Sequence, residues 1–263
     1  MDFATPIGIV AALIAILVSM VLDGGSPASL IAPPAIILVL GGTIGVSLAG
    51  VRLRDLSNVA GALKSALFAK VSAPDQSIID MVRFADIARK EGVLALENAV
   101  RGVDDPFLKK AVQLAVDGVE SDRIRDLLEA EIEAMEARHK ASAKFFKSMG
   151  GYAPTIGILG TVIGLIHVLA NLSSPNTLGP AISSAFSATL WGVMSANVFW
   201  LPIETKLTRI SELEVQTRSI IVSGVLAIQS GSSPRALEEQ LLSYLAPKDR
   251  ASSQALKTKR QAA

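Results

Sequence analysis

The stretch "GILGTVIGLIHV", Gly157–Val168, decides how the chain folds. It holds no Asp, Glu, Lys or Arg, and it is the middle of an apolar run from Met149 to Leu172. A helix rises 1.5 Å per residue, so about 20 apolar residues cross a hydrocarbon core of ~30 Å. Working outward, three more runs of that kind appear: Phe3–Leu22, Leu30–Gly50 and Ala181–Ile203. None carries a formal charge. The expected fold is an all-α membrane protein, with four transmembrane helices in two short-looped hairpins.

Composition agrees. Of 263 residues, 50% are hydrophobic and 19% charged, below the roughly 25% usual in soluble domains. The net charge of +1 lacks the basic excess of a dedicated nucleic-acid binder. With no cysteine, disulfides, thiol catalysis and zinc–thiolate sites are excluded. The first run has no preceding Lys or Arg and exceeds the ~7–15 apolar residues of a signal peptide, so it reads as a retained span.

Lys and Arg set the expected orientation. The links "DGGSPAS" (Asp23–Ser29) and "SSPNTLG" (Ser173–Gly179) contain neither. All the basic residues lie between Arg52 and Lys147 or from Lys206 onward. The positive-inside rule makes both regions, and both termini, cytoplasmic. The organisation is therefore a transmembrane hairpin over 3–50, a cytoplasmic helical domain over 51–148 and a second hairpin over 149–203. Cytoplasmic helices follow over 204–246, then a disordered basic tail over 247–263. In the wet regions "DDPFLKKAVQLAVDG" predicts a helix capped by Asp105, with Pro106 in its first turn and Gly118 as its stop. In the helix starting near a Ser121 cap the apolar positions Ile124, Leu127, Leu128, Ile132 and Met135 recur at helical spacing, and it continues into the third span. Another starts at Ser233-Pro234.

On a helix Gly157, Gly160, Thr161 and Gly164 fall within roughly a 100° arc. Ala185, Ala188, Thr189, Gly192, Ser195 and Ala196 form a matching stripe on the fourth span. Two readings fit. Small residues let helices approach closely, and a threonine can bond the carbonyl four residues back. Alternatively Thr161 and Thr189 line an ion path, their hydroxyls replacing part of a hydration shell. His167 reads as interfacial, with a proton relay as the alternative. Pro154 and Pro202 are either helix-boundary prolines or hinges. No span holds a carboxylate, so an ion crossing here needs an acid from another protein.

The charges of "RFADIARKEGVLALENAVRG" suit either a solvated face with weak ion pairs or a docking surface. The bases late in the Ser121–Met149 helix suit anionic lipid. There is no GK[ST] phosphate loop, HExxH or GxSxG, and only two histidines. The chain is not expected to be an enzyme, nor to hold a permanent metal or cofactor.

Together "ARKEGVLALE", "DDPFLKKAVQLAVDG", "EAMEARH", "YAPTIGILGTVIGLIHVL" and "VLAIQSGSSPRALEEQLLSYLAPKDR" resemble the MotA/PomA flagellar motor stator subunits. More distantly the chain resembles ExbB/TolQ energisers of outer-membrane processes, driven by proton flux. Those typically have three spans. The stator resemblance implies five copies around two single-span MotB/PomB-type partners, whose membrane aspartate binds the ion. It implies a bacterial inner-membrane location and torque applied to the rotor protein FliG. Under it, Arg89 and Glu97 match the charged pair implicated in rotor contact, with Lys90 and Glu91 beside them. Pro154 and Pro202 match the prolines that couple ion binding to conformation. Thr189 matches the threonine facing the partner's aspartate, and Phe186, one turn earlier, faces the partner. Thr161 with Thr189 resembles the sodium-driven type, whereas proton-driven members commonly carry alanine or another small residue at the first position. A hydroxyl and a nearby carbonyl can ligate a dehydrated hard cation transiently, and a methyl cannot. The transported ion is then Na+, otherwise H+.

Overall fold

The computed structural model describes residues 4–52, 56–68, 74–173, 175–247 and 250, so most of the tail expected over 247–263 lies outside the described residues. Among the described residues the chain is helical, without strands. Three helices among the described residues are long and apolar enough to cross a membrane: Ala4–Leu22, Ser121–Ala170 and the continuous stretch Asn176–Gln229. Pro33–Ala49 is a shorter apolar helix.

The chain divides into two compact units. The first comprises 1–70 and 139–209. Its helix α1 (Ala4–Leu22) buries no residue, and Ile7, Val10, Ile14 and Leu22 stand exposed. Such an apolar surface needs lipid or another helix as its solvent. The second apolar segment starts later than the Leu30 expected from hydropathy. Residues Pro27–Leu30 form a 3-10 turn and Ala32 is extended, because Pro33 and Pro34 suit only a helix's first turn. It then runs as α2 (Pro33–Ile36), a π-helical turn (Ile37–Gly41) and α3 (Gly42–Ala49). Helix α4 spans Leu56–Phe68.

The two remaining apolar helices of this unit are the membrane part of α8 (Ser121–Ala170) and α9 (Pro175–Ser195). The polar link expected over Ser173–Gly179 is mostly helix, since Pro175 opens α9. A π turn, Ala196–Trp200, joins α9 to α10 (Leu201–Gln229). At the far end of these helices Phe145, Phe146, Met149, Ile203 and Leu207 form a small core. The rings of Phe145 and Phe146 meet edge-on at 5.7 Å.

The second unit comprises 71–138 and 210–263. Its helices are α5 (Pro74–Glu91), α6 (Leu96–Val100), α7 (Pro106–Val116), α11 (Pro234–Leu242) and parts of α8 and α10. Met81, Phe84, Leu96, Ile124, Leu128, Ile220 and Leu237 are 0–1% exposed and form one core. Helix α7 begins as expected: the Asp105 carboxylate accepts from the amides of Phe107 (2.9 Å) and Leu108 (3.4 Å). Gly118 ends it at φ 73°. Ser233 accepts from the Ala236 amide at the start of α11. Ser121 departs from the expectation. It is the first residue of α8, and its hydroxyl donates to Gln229 Oε1 at 2.8 Å instead of capping. Leu127 is 37% exposed, because it lies one residue off the stripe of Ile124, Leu128, Ile132 and Met135.

Candidate functional site

The small-residue stripes of α8 and α9 face one another. A methyl group placed on Gly157 would stand 2.8 Å from the Ala188 carbonyl oxygen and 3.2 Å from the Cα atoms of Thr189 and Gly192. One on Gly192 would stand 2.7 Å from the Ala153 carbonyl oxygen and 3.3 Å from Pro154 Cα. One on Gly164 would meet Ala185. Backbone touches backbone along this seam, which only glycine permits.

Thr161 and Thr189 sit on the same seam, both half-buried. Their hydroxyls bond each other. The Thr161 hydroxyl also lies 3.2 Å from the carbonyl oxygen of Gly157, on its own helix, and 3.0 Å from that of Ala185, on the facing one. Thr189 Oγ1 lies 3.4 Å from the Gly157 oxygen. Two hydroxyl and two carbonyl oxygens are thus gathered where the helices are closest. The back-bond expected of a packing threonine is present, from Thr161 to the Gly157 carbonyl. Two hydroxyl protons cannot satisfy every acceptor here at once, so the hydroxyls can turn between partners.

Phe186, 61% exposed, lies beside this cluster on the outer face of α9 with Leu190 and Val193. Pro154 is half-buried against Gly192, inside the unbroken helix α8. Its ring removes the donor that the Gly150 carbonyl would use. Pro202 lies in the first turn of α10, directly after the π turn. There the Leu201 amide donates to Ala196 O, five residues back. The widened turn leaves room for a proline ring that would crowd a regular helix. Pro154 therefore lies within a helix, and Pro202 at the start of one. His167 is exposed near the end of α8, and its ring engages no partner among the described residues.

The charged segment lies in the second unit. Lys90 pairs with Asp86 at 2.7 Å and Glu97 with Arg101 at 3.1 Å, each one turn away on its own helix. Exposed pairs of this kind contribute about 0–1 kcal/mol. Arg89 and Glu91 have no partner among the described residues, and both are exposed. No group of three or more His, Asp or Glu among the described residues could hold a metal ion.

The pattern of the MotA/TolQ/ExbB proton channel family matches residues 99–220. Motility protein A of Bacillus subtilis (strain 168) is 41% identical over 251 residues, covering 95% of this chain and 93% of that protein. Chemotaxis protein PomA of Vibrio alginolyticus is 34% identical over 245 residues, covering 93% of this chain and 96% of its own. The chain belongs to the MotA/TolQ/ExbB proton channel family. The solved structure of C. jejuni MotAB superposes with a TM-score of 0.90 at 30% identity, over 94% of this chain and 97% of that one. This family member is a membrane-embedded flagellar stator subunit and not an enzyme.

Sequence reasoning put Thr161 and Thr189 of the stator subunit on matching stripes and foresaw the bond of Thr161 to the carbonyl four residues back, but missed the Ala185 carbonyl on the facing helix. Which backbone oxygen faces a hydroxyl depends on helix register, which residue type does not encode. It also missed the Trp191 indole, which donates to the Leu30 carbonyl at 2.7 Å and ties α9 to the turn before α2. Thr43 and Ser47, one turn apart on α3, are buried with hydroxyls that bond nothing among the described residues. They read in the sequence as two more small residues of an apolar run.

Proposed function

We propose that this stator subunit lines a cation path with a MotB/PomB-type single-span partner, and that flux along it turns the ring against the rotor. The supporting observation is the oxygen cluster of Thr161, Thr189, Gly157 and Ala185, set in the apolar runs 149–172 and 181–203, which contain no carboxylate. Oxygens of this kind suit a hard cation that has shed part of its water. They supply no negative charge, so the partner's aspartate completes the site. Na+ is the favoured ion and H+ the alternative, and no resident cofactor is needed. Thr189 and Phe186 face the partner, and Pro154 and Pro202 couple its protonation or ion loading to helix movement. Five copies surround the partner in the bacterial inner membrane, with both termini in the cytoplasm. The segment of Arg89, Lys90, Glu91 and Glu97 meets FliG.

The test is ion flux into cells lacking their own stators and expressing the full chain with its single-span partner. Flux should require both proteins. Thr189→Ala should lower it about tenfold, as expected for ~1.4 kcal/mol of lost coordination, while Thr189→Ser retains most of it. Parental flux from Thr189→Ala, or flux without the partner, would overturn the assignment.

A further inference from the structure

One face of the second apolar segment changes chemistry along its length. Ala35, Val39, Thr43 and Ser47 recur every fourth residue, and all are 0–4% exposed. Ala35 and Val39 pack against Ala188 of α9. Thr43 and Ser47 continue the buried stripe but carry hydroxyls. A buried hydroxyl in a helix usually bonds the carbonyl one turn back, as Ser187 does to Ser183 (2.9 Å) and Thr217 to Leu213 (2.8 Å). Thr43 Oγ1 and Ser47 Oγ bond neither their own helix nor anything else among the described residues. They are turned off the carbonyls of α3 and into its packed face. That face lies over the groove between α8 and α9. A methyl on Gly160 would meet both Ala188 Cβ and Leu38 Cδ2, and one on Gly42 would stand 3.2 Å from Ile156 Cγ2. Six residues after Gly42, Leu48 packs against the core of Phe145, Phe146 and Met149. Thr43 and Ser47 therefore fall between the threonine cluster and that core. Trp200 packs against the same core, and its buried Nε1 has no acceptor among the described residues. Its neighbour Leu201 is what a methyl on Gly150 would meet, which sets the indole near the level of Ser47. Among the described residues, the buried side-chain polar atoms without a partner are those of Thr43, Ser47 and Trp200. All three belong to this one stretch of the first unit. Each such atom is costly to leave unpaired.

We infer that Thr43, Ser47 and Trp200 hold a short chain of ordered water in the groove between α3 and the α8–α9 pair, and that a cation leaving the threonine cluster regains water there. Water suits the set: the hydroxyls donate or accept, the indole only donates, and a buried water makes about three bonds. A bare cation suits it poorly, because the indole presents a positive N–H edge. Burial within one chain keeps the site closed when subunits assemble. The role for the cation rests on the ion path proposed above, whereas the water site does not. The chain of water starts beside Ile156, the residue before Gly157, whose carbonyl belongs to the oxygen cluster. An ion stripped of part of its shell at the cluster finds replacement oxygens at the next turn.

The first measurement is a cryo-electron microscopy map of the full chain with its single-span partner, at a resolution that shows ordered water. Density should lie within about 3 Å of Thr43 Oγ1 and Ser47 Oγ. Hydroxyls swung back onto the Val39 and Thr43 carbonyls, with no density in the groove, would rule out the site. The second is ion flux in cells lacking their own stators. Thr43→Val combined with Ser47→Ala removes both oxygens at nearly constant shape. Maximal flux should fall about fivefold, the effect of losing one hydrogen bond to the leaving ion. The driving-ion concentration for half-maximal flux and the membrane abundance should stay at parental values, which a merely structural defect would not leave untouched. Thr43→Ser in place of Thr43→Val restores an oxygen and should recover most of the flux. Parental flux from the double variant, or a shifted midpoint, would remove the exit role. Water density in a parent complex that conducts no ion would defeat the ion path and leave the water site standing.

Discussion

Gly157 is where residue identity decides most. The three atoms that a methyl there would meet all belong to the backbone of α9, so no side chain can swing aside. Gly157→Ala must push α8 and α9 apart and pull the Thr161 hydroxyl from the Ala185 carbonyl. The expected cost is ~1–3 kcal/mol, the range for overpacked sites. Gly45, on α3, has nothing within 4 Å of an added methyl. Gly45→Ala should therefore be neutral or gain up to about 1 kcal/mol from helix propensity. Thermal unfolding of the detergent-purified stator complex, followed by tryptophan fluorescence, compares the two. Gly157→Ala should lower Tm by several degrees and Gly45→Ala should not. Equal melting would mean the seam is looser than its contacts imply.

At the scale of elements, a few local rules carry α7. Asp105 caps two amides, Pro106 takes a position needing no donor, and Phe107, Leu108, Ala111, Val112 and Ala115 form its buried face. Asp105→Ala should cost about 1 kcal/mol. That corresponds to about fivefold faster hydrogen exchange at the first amides of α7, read by mass spectrometry, with little change in α5. Exchange unaltered at Phe107 and Leu108 would show the cap to be idle. Helix α7 was legible because all its signals are local in sequence. The same holds for α11 and for the run of α8 into the membrane. Ser121 was misread because a serine before an apolar stripe looks the same whether it caps its own helix or bonds Gln229, distant in sequence. The π turns at Ile37–Gly41 and Ala196–Trp200 were invisible for a similar reason. Proline marks where strain arises, but packing decides whether a kink, a break or a widened turn relieves it.

For the whole molecule the open quantity is which ion does the work, and Thr161 is the lever on it. Its hydroxyl joins the cluster through the Gly157 and Ala185 carbonyls and through Thr189. Removing it leaves the partner's carboxylate in place and water free to reach it. A proton path tolerates that, because a proton needs only the acid and a water chain. A sodium path does not, because the ion must be given oxygens in exchange for those of its hydration shell. Thr161→Ala should therefore raise the sodium concentration for half-maximal swimming speed about tenfold at fixed pH, the effect of ~1.4 kcal/mol at the site. Thr161→Ser keeps the oxygen and loses only a methyl, so it should restore the parental curve. If the alanine loss came from the helix seam instead, both variants would lower maximal speed without shifting the sodium midpoint. Swimming by the parent that ignores sodium would assign the current to protons, and the two threonines would then act as the hydrogen-bonded lock between α8 and α9.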